Sequence, residues 1–270
     1  MEPTLYVYRD KDYGSMWIRE DGSEKITDFL VRKGAEQINT TDLVRIMNDG
    51  VKKPDTDIVI VFSQDIIPDK VLDNVSAPSP NSLFRRFLNA GHTIIWLGDE
   101  PTYHVGLPDK GHKLLPQPQT IQHLIGTPDL RPTRTDDRLV LVKPTLEGLL
   151  LGMKSWKGKR PHRLLQIGGN FIPLGVSREG VHSYIFSPVP VSWTLSGVIR
   201  LYDFNPITAK TLSSEMLETI SNLALRQILF GEIIFLTKQF NLLKKEVDEK
   251  IMNKLDKISE DIKKNRKSEI

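Results

Sequence analysis

Asp57-Ile58-Val59-Ile60-Val61-Phe62 and His92-Thr93-Ile94-Ile95-Trp96-Leu97-Gly98 are two continuous apolar runs bounded by polar residues. Such a run does not alternate between core and solvent, so it suits a strand buried on both faces, as in a parallel sheet. Between them, Ser82-Leu83-Phe84-Arg85-Arg86-Phe87-Leu88 has helical spacing and stops at Ala90-Gly91. Upstream, Leu5-Tyr6-Val7-Tyr8 reads as a first strand. Asp21-Gly22-Ser23 offers a turn and an N-cap for a helix through Ile26, Phe29 and Leu30 that ends at Gly34, and Thr41-Asp42 caps a second through Leu43, Ile46 and Met47. Strands alternating with helices predict an α/β fold with a doubly wound, mostly parallel sheet and right-handed crossovers.

Residues 99–137 are rich in proline, glycine and charge, and read as an irregular excursion with a short helix over Thr120 to Ile125. Leu139 to Val142, Leu164 to Ile167, Tyr184 to Phe186 and Val198 to Tyr202 resume strand character. Lys154 to Arg163 reads as a basic loop. A helix starts at Ala209 to Ser213 and runs through Met216, Leu217, Ile220, Leu223 and Ala224.

The last segment has a different pattern. Leu229, Ile233, Leu236, Phe240, Leu243, Val247, Ile251, Leu255, Ile258 and Ile262 recur at steps of three and four, the seam of a coiled coil. Successive steps of four from Leu243 to Leu255 lengthen the period and should unwind a left-handed supercoil there. Lys and Glu side chains crowd the outer face, so the seam needs another helix to cover it. The sequence therefore divides into an α/β domain over 1–230 and a long amphipathic helix over 231–270. The seam residues Leu236, Phe240, Leu243, Val247, Ile251, Leu255 and Ile258 form the expected contact with a second copy or a helical protein partner.

Composition removes several classes. The 270 residues hold no cysteine, which excludes disulfides and a thiol nucleophile. The net charge of +3 is too small to imply nucleic-acid binding by itself. No apolar stretch approaches the roughly 20 residues that cross a bilayer, and the N-terminus lacks the basic start and apolar run of a signal peptide. A cytoplasmic protein with no membrane partner, no cofactor and no metal is the expectation.

Three segments carry a family likeness: Asp57 to Phe62 with its following helix, Phe87 to Gly98, and Ser196-Gly197-Val198-Ile199-Arg200-Leu201-Tyr202-Asp203-Phe204-Asn205-Pro206. In this order the chain resembles the class I glutamine amidotransferase-like fold, with its trehalose-utilisation-type members. The resemblance covers residues 1 to 230 and implies a flavodoxin-like sheet. It also implies a catalytic cysteine on the turn that here reads Gly98-Asp99-Glu100-Pro101. The catalytic His-and-Glu turn of the family would fall on Phe204-Asn205-Pro206-Ile207. Neither asparagine nor isoleucine does that work, so the resemblance implies a pseudoenzyme without its triad.

Other constellations suggest rival functions. Asp99 and Glu100 follow a buried strand at its carboxyl end, the usual ligand edge of an α/β sheet, and Asp65 ends the preceding strand. With His104 and Asn205 these are the ligand-binding candidates, set against a simpler reading in which Asp99 caps a turn and its neighbours are solvated. His104, His112 and His123 match no zinc spacing. Gly168-Gly169-Asn170 reads as a turn, not a dinucleotide fingerprint. Lys154, Trp156, Lys157, Lys159, Arg160 and Arg163 could bind phosphates and stack on a base, although a solvated loop with Trp156 packed on the domain is favoured. The leading reading is a non-catalytic assembly or small-ligand-sensing module. One alternative is a carboxylate-dependent hydrolase of a glycoside or nucleoside using Asp65, Asp99 and Glu100. Another is a nucleic-acid-associated factor using the basic segment.

Overall fold

The structure, a computed structural model, describes residues 3–127, 130–132, 138–164, 171–187, 196–225, 243 and 245–254, with backbone alone for 132, 163 and 164. Two compact units emerge, residues 1–230 and 231–270.

The first unit opens with β1 (Thr4–Tyr8), α1 (Glu20–Arg32), β2 (Glu36–Ile38), α2 (Thr40–Lys52), β3 (Ile58–Phe62) and a short β4 (Ile67–Pro68). Then come α3 (Leu83–Asn89), β5 (Thr93–Trp96), β6 (His104–Gly106), β7 (His112–Leu114), α4 (Gln119–Leu124) and β8 (Leu130–Pro132). β9 (Val140–Pro144), α5 (Leu146–Leu150), β10 (Trp156–Gly158), β11 (His162–Leu164), β12 (Phe171–Ser177), β13 (Gly180–Phe186), β14 (Gly197–Arg200) and α6 (Ser214–Ala224) complete it.

The centre is a block of parallel strands in the order β2–β1–β3–β5–β14. Both expected apolar runs sit inside it, and every residue of β3 and β5 is buried. Side chains alternate across a strand. Tyr8, Ile60, Phe62, Ile94, Trp96 and Val198 therefore join Leu43, Met47, Phe84 and Phe87 of α2 and α3 in one core. Val7, Val59, Val61, Ile95 and Ile199 are also fully buried but lie outside that core, on the face where α1 and α6 pack. Phe62 is the hub of the first core: its ring stacks on Trp96 at 5.2 Å and touches Tyr8 at 4.9 Å.

The α/β class is as the sequence implied, but the sheet does not end at β14. An antiparallel extension, β13–β12–β9–β10, continues it, and β11 pairs with β13 and β8. The expected basic loop over 154–163 is instead β10 and β11 joined by a short turn. β12 escaped the sequence reading because Pro173 and Gly175 interrupt its pattern; the register shifts between Pro173 and Gly175 and again before Val176, where bulges accommodate residues that a regular ladder excludes. Two caps also differ. α1 begins at Glu20, so Ser23 lies inside the helix and hydrogen-bonds Ser63, and α2 is capped by the Asn39 side chain, which accepts from the Asp42 N–H.

In the second unit, residues 243 and 245–254 are helical. Leu243, Val247 and Ile251 are exposed at spacings of four, and Lys245 approaches Glu249 to 4.0 Å one turn on. Leu236, Phe240, Leu255 and Ile258 lie outside the described residues, as does the 168–170 turn. Among the described residues, no helix is long and apolar enough to cross a membrane.

Because Phe62 fills the space between two aromatic rings, Phe62→Ala should lower the unfolding free energy by about 3–5 kcal/mol, read as a reduced urea midpoint with the m-value unchanged.

Candidate functional site

Buried charge gathers along the carboxyl ends of β3, β5 and β14. Asp65, three residues past β3, is 1% exposed. Its carboxylate accepts from the Ser15 hydroxyl at 2.5 Å and from the backbone N–H groups of Met16, Trp17 and Asp99 at 2.8, 2.9 and 3.0 Å. A carboxylate so occupied holds two loops in place and has little capacity left for a substrate. Gly98, at φ +83°, makes the turn beneath it, where a Cβ would fall 2.9 Å from the Asp65 carboxylate.

Asp99 and Glu100 are not solvated: they are 0% and 2% exposed. One oxygen of Asp99 accepts from the Glu100 N–H at 2.7 Å and lies 3.4 Å from Arg160 Nε; the other is 3.3 Å from His104 Nε2. Glu100 Oε1 is 2.9 Å from His162 Nε2. The His104 contact is not aligned as a hydrogen bond and leaves Asp99 Oδ2 without a directed partner, while Glu100 Oε1 and His162 Nε2 face each other off the ideal angle. Thr102 Oγ1, His104 Nδ1, and Arg200 Nε and Nη2 are likewise buried without a hydrogen-bond partner.

Two buried groups that the sequence reading passed over complete the network. Arg200, the last residue of β14, is fully buried; its Nη1 donates to His162 Nδ1 at 2.9 Å and to the Arg160 carbonyl at 2.7 Å. Arginine cannot accept, so His162 Nδ1 must, and the neutral ring carries its proton on Nε2, facing Glu100. Burial pushes the His162 pKa down and the Arg200 charge adds to this, against the opposing pull of Glu100. Asp203, three residues on, accepts from His182 Nδ1 at 2.6 Å, Trp156 Nε1 at 2.8 Å, and the N–H groups of Lys159 and Arg160 at 3.2 and 3.0 Å. Burial alone would raise its pKa, but the His182 hydrogen bond and the Arg200 charge outweigh it and hold the carboxyl below its ordinary value.

The basic residues of 154–163 occupy separate environments. Trp156 is 5% exposed and tied to Asp203, so its face is not offered to a base. Lys154 pairs with Glu215 at 3.0 Å. Lys157 is exposed, and Arg163 lies on β11 with its side chain outside the described residues. Lys159 sits over the Trp17 ring, while Arg160 is clasped between Trp17 and Tyr103, with centroids 5.2 and 4.5 Å away. The Arg160 side chain is 30% exposed and brings the Asp99 cluster to the surface. Asn205 is apart from this cluster. It lines an open groove of about 360 Å³ with Leu139, Trp156, Lys157, Phe204 and Met216.

A family model, the MJECL34 family, matches residues 3–227. The chain belongs to the MJECL34 family. It is 32% identical to the MJECL34 protein of Methanocaldococcus jannaschii over 273 aligned positions, which cover 97% of this chain and 87% of the relative. The family match spans the whole α/β unit and stops before the second unit.

His162, His182, Ser177, Arg200 and Asp203 gave little signal in the sequence. His162 was hidden among basic neighbours. Arg200 ends a strand whose other residues are apolar, and His182 lies with Ser183 in a strand that is otherwise largely apolar; a charged or titratable residue within a mostly buried strand was the cue available.

The depressed His162 pKa fixes a pH dependence. The unfolded chain takes up a proton near pH 6.5 that the fold excludes, so His162 leaves stability intact above that value and erodes it below. Between about pH 7.5 and about pH 5.5 the urea midpoint should fall, His162 contributing at most about 1.4 kcal/mol per pH unit. His162→Gln should make the fall shallower.

Proposed function

We propose that this MJECL34-family chain is a small-ligand-sensing α/β module without amidotransferase chemistry, assembled through its C-terminal helix. The observation that carries this is the set of buried polar atoms without directed partners at the carboxyl edge. A buried donor or acceptor left unpaired costs about 1–3 kcal/mol, so a cluster of them favours a molecule that would complete it. Acceptors from Asp99 and Glu100 stand beside donors from Arg200 and His162. That mixture suits a compact neutral molecule rich in hydroxyl groups, which both donates and accepts. Arg160, between its two rings, is the group that would move to admit it.

The order β2–β1–β3–β5–β14 supports a flavodoxin-like arrangement, in which ligands gather at the carboxyl edge. The amidotransferase likeness remains a proposal on that basis, and the acidic Gly98–Pro101 turn with Asn205 and Ile207 argues for a pseudoenzyme. The hydrolase alternative is weaker, because Asp65 is saturated by N–H and O–H donors and is not poised for acid–base work. The nucleic-acid alternative is weaker because Trp156, its stacking residue, is buried.

Thermal unfolding of the full chain against free sugars and nucleosides tests the ligand. A binder at a hundred times its Kd adds about 2.7 kcal/mol, so one class should raise Tm by several degrees, and Glu100→Gln should abolish the rise. A panel that leaves Tm unchanged would sink this reading.

Assembly is tested separately. Leu243, Val247 and Ile251 form an exposed apolar stripe, and each such side chain gains roughly 1.5–3 kcal/mol on full burial. Light scattering should give a multimer for the full chain and a monomer for the Leu243→Asp, Val247→Asp double variant, with the α/β circular dichroism retained.

A further inference from the structure

Ser177, His182 and Asp203 stand in a line. Ser177 closes β12 and His182 lies near the start of β13, so the tight β12–β13 turn sets the two side by side. Ser177 Oγ is 3.0 Å from His182 Nε2, and His182 Nδ1 is 2.6 Å from Asp203 Oδ2. His182 and Asp203 are fully buried, whereas Ser177 is half-buried beside the exposed Arg178.

The proton positions follow from the partners. Asp203 already accepts from Trp156 Nε1 and two backbone N–H groups and is held ionised, so the His182 Nδ1 must donate to it. The neutral ring then has an acceptor at Nε2, and the Ser177 hydroxyl donates there. The Glu179 N–H reaches Ser177 Oγ at 3.0 Å, which uses one lone pair and leaves the other. Asp203 is itself fixed from several sides, and Gly158 lies against it so closely that a Cβ there would be 2.4 Å from Asp203 Oδ1 and 2.6 Å from His182 Nδ1. The orienting carboxylate and the base are therefore rigid, as nucleophile activation requires.

We propose that Ser177 is a nucleophile activated by the His182–Asp203 pair, and that it accepts an acyl group from small, activated carboxylic esters. Ser177 Oγ bonds to the ester carbonyl carbon as its proton passes to His182 Nε2. The bond from that carbon to the alcohol oxygen breaks, and the departing alkoxide takes the proton from His182. Water then attacks the acyl-serine, giving its proton to His182, and Ser177 leaves with that proton restored. The sum is ester plus water to acid plus alcohol. Activated esters are the fitting class because their leaving group demands little stabilisation. The hydrogen bonds of Ser177 run to His182 and to the Glu179 N–H, and it meets the Asp99 cluster through Asp203, whose other partners include the Arg160 N–H.

The full-length chain treated with a fluorophosphonate should gain one adduct by intact mass, mapped to Ser177 and absent in Ser177→Ala. His182→Ala should slow labelling by about 100-fold or more, the contribution of a general base. Failure of the folded wild type to label, or labelling that survives Ser177→Ala, overturns the proposal. A second measurement guards against loss of fold in the histidine variant. The chain has no cysteine, so Ser177→Cys introduces a single thiol whose alkylation by iodoacetamide can be followed against pH. Activation predicts a thiolate formed below about pH 7 that shifts upward when His182→Ala is added. A merely structural turn predicts the ordinary value near 8.5, unaffected by His182, and that result also overturns the proposal.

Discussion

The Asp203 carboxylate is fully buried and receives hydrogen bonds from the His182 ring, the Trp156 indole and the N–H groups of Lys159 and Arg160, with Arg200 4.0 Å away. Those partners come from β13, β10, the turn before β11 and the end of β14. One anion thus joins the antiparallel extension to the parallel block. A carboxylate in this position is tolerable only if its lone pairs are filled by donors that are themselves rigid. The sequence around it obeys that demand: Gly158 leaves no Cβ where one would collide with Asp203, and Trp156 donates its indole N–H to it.

The edge of the sheet contains two kinds of buried polar group. Asp65 and Asp203 are saturated, and they set backbone: the first fixes the 15–18 segment against the turn at Gly98, the second fixes β10 and the turn into β11. Asp99, Glu100, His162 and Arg200 are close to one another yet incompletely bonded. Saturated groups act as scaffold. Incomplete ones retain interaction energy that a bound molecule can still release, which is why the ligand reading is placed on them rather than on the better-bonded carboxylates.

This division also explains why the basic segment misleads when read as charge alone. Lys159 and Arg160 lie over the Trp17 ring, and their own N–H groups bind Asp203. Their role in the fold is to close the carboxyl edge, with the long side chains covering aromatic surface while the charge meets water or Asp99.

The sequence by itself determined the layers of the fold. The runs at 57–62 and 92–98 suited strands covered on both faces, and the helices with their spacing of three and four supplied the covers. It also determined that no thiol chemistry occurs. The acidic turn after β5 was legible as a feature of the carboxyl edge, because the end of a parallel strand is known once the strand is. Tertiary structure alone decided what the polar residues do. Ser177, His182 and Asp203 meet through a hairpin whose first strand is disguised by Pro173 and Gly175, and through a sheet neighbour that is not adjacent in sequence. Whether Asp99 is solvated or sealed depends on His104, Arg160 and the strands that bring them there. Apolar periodicity is a local property set by burial of one segment's own faces. Partnership between charged groups is set by long-range pairing, which leaves no period in the chain.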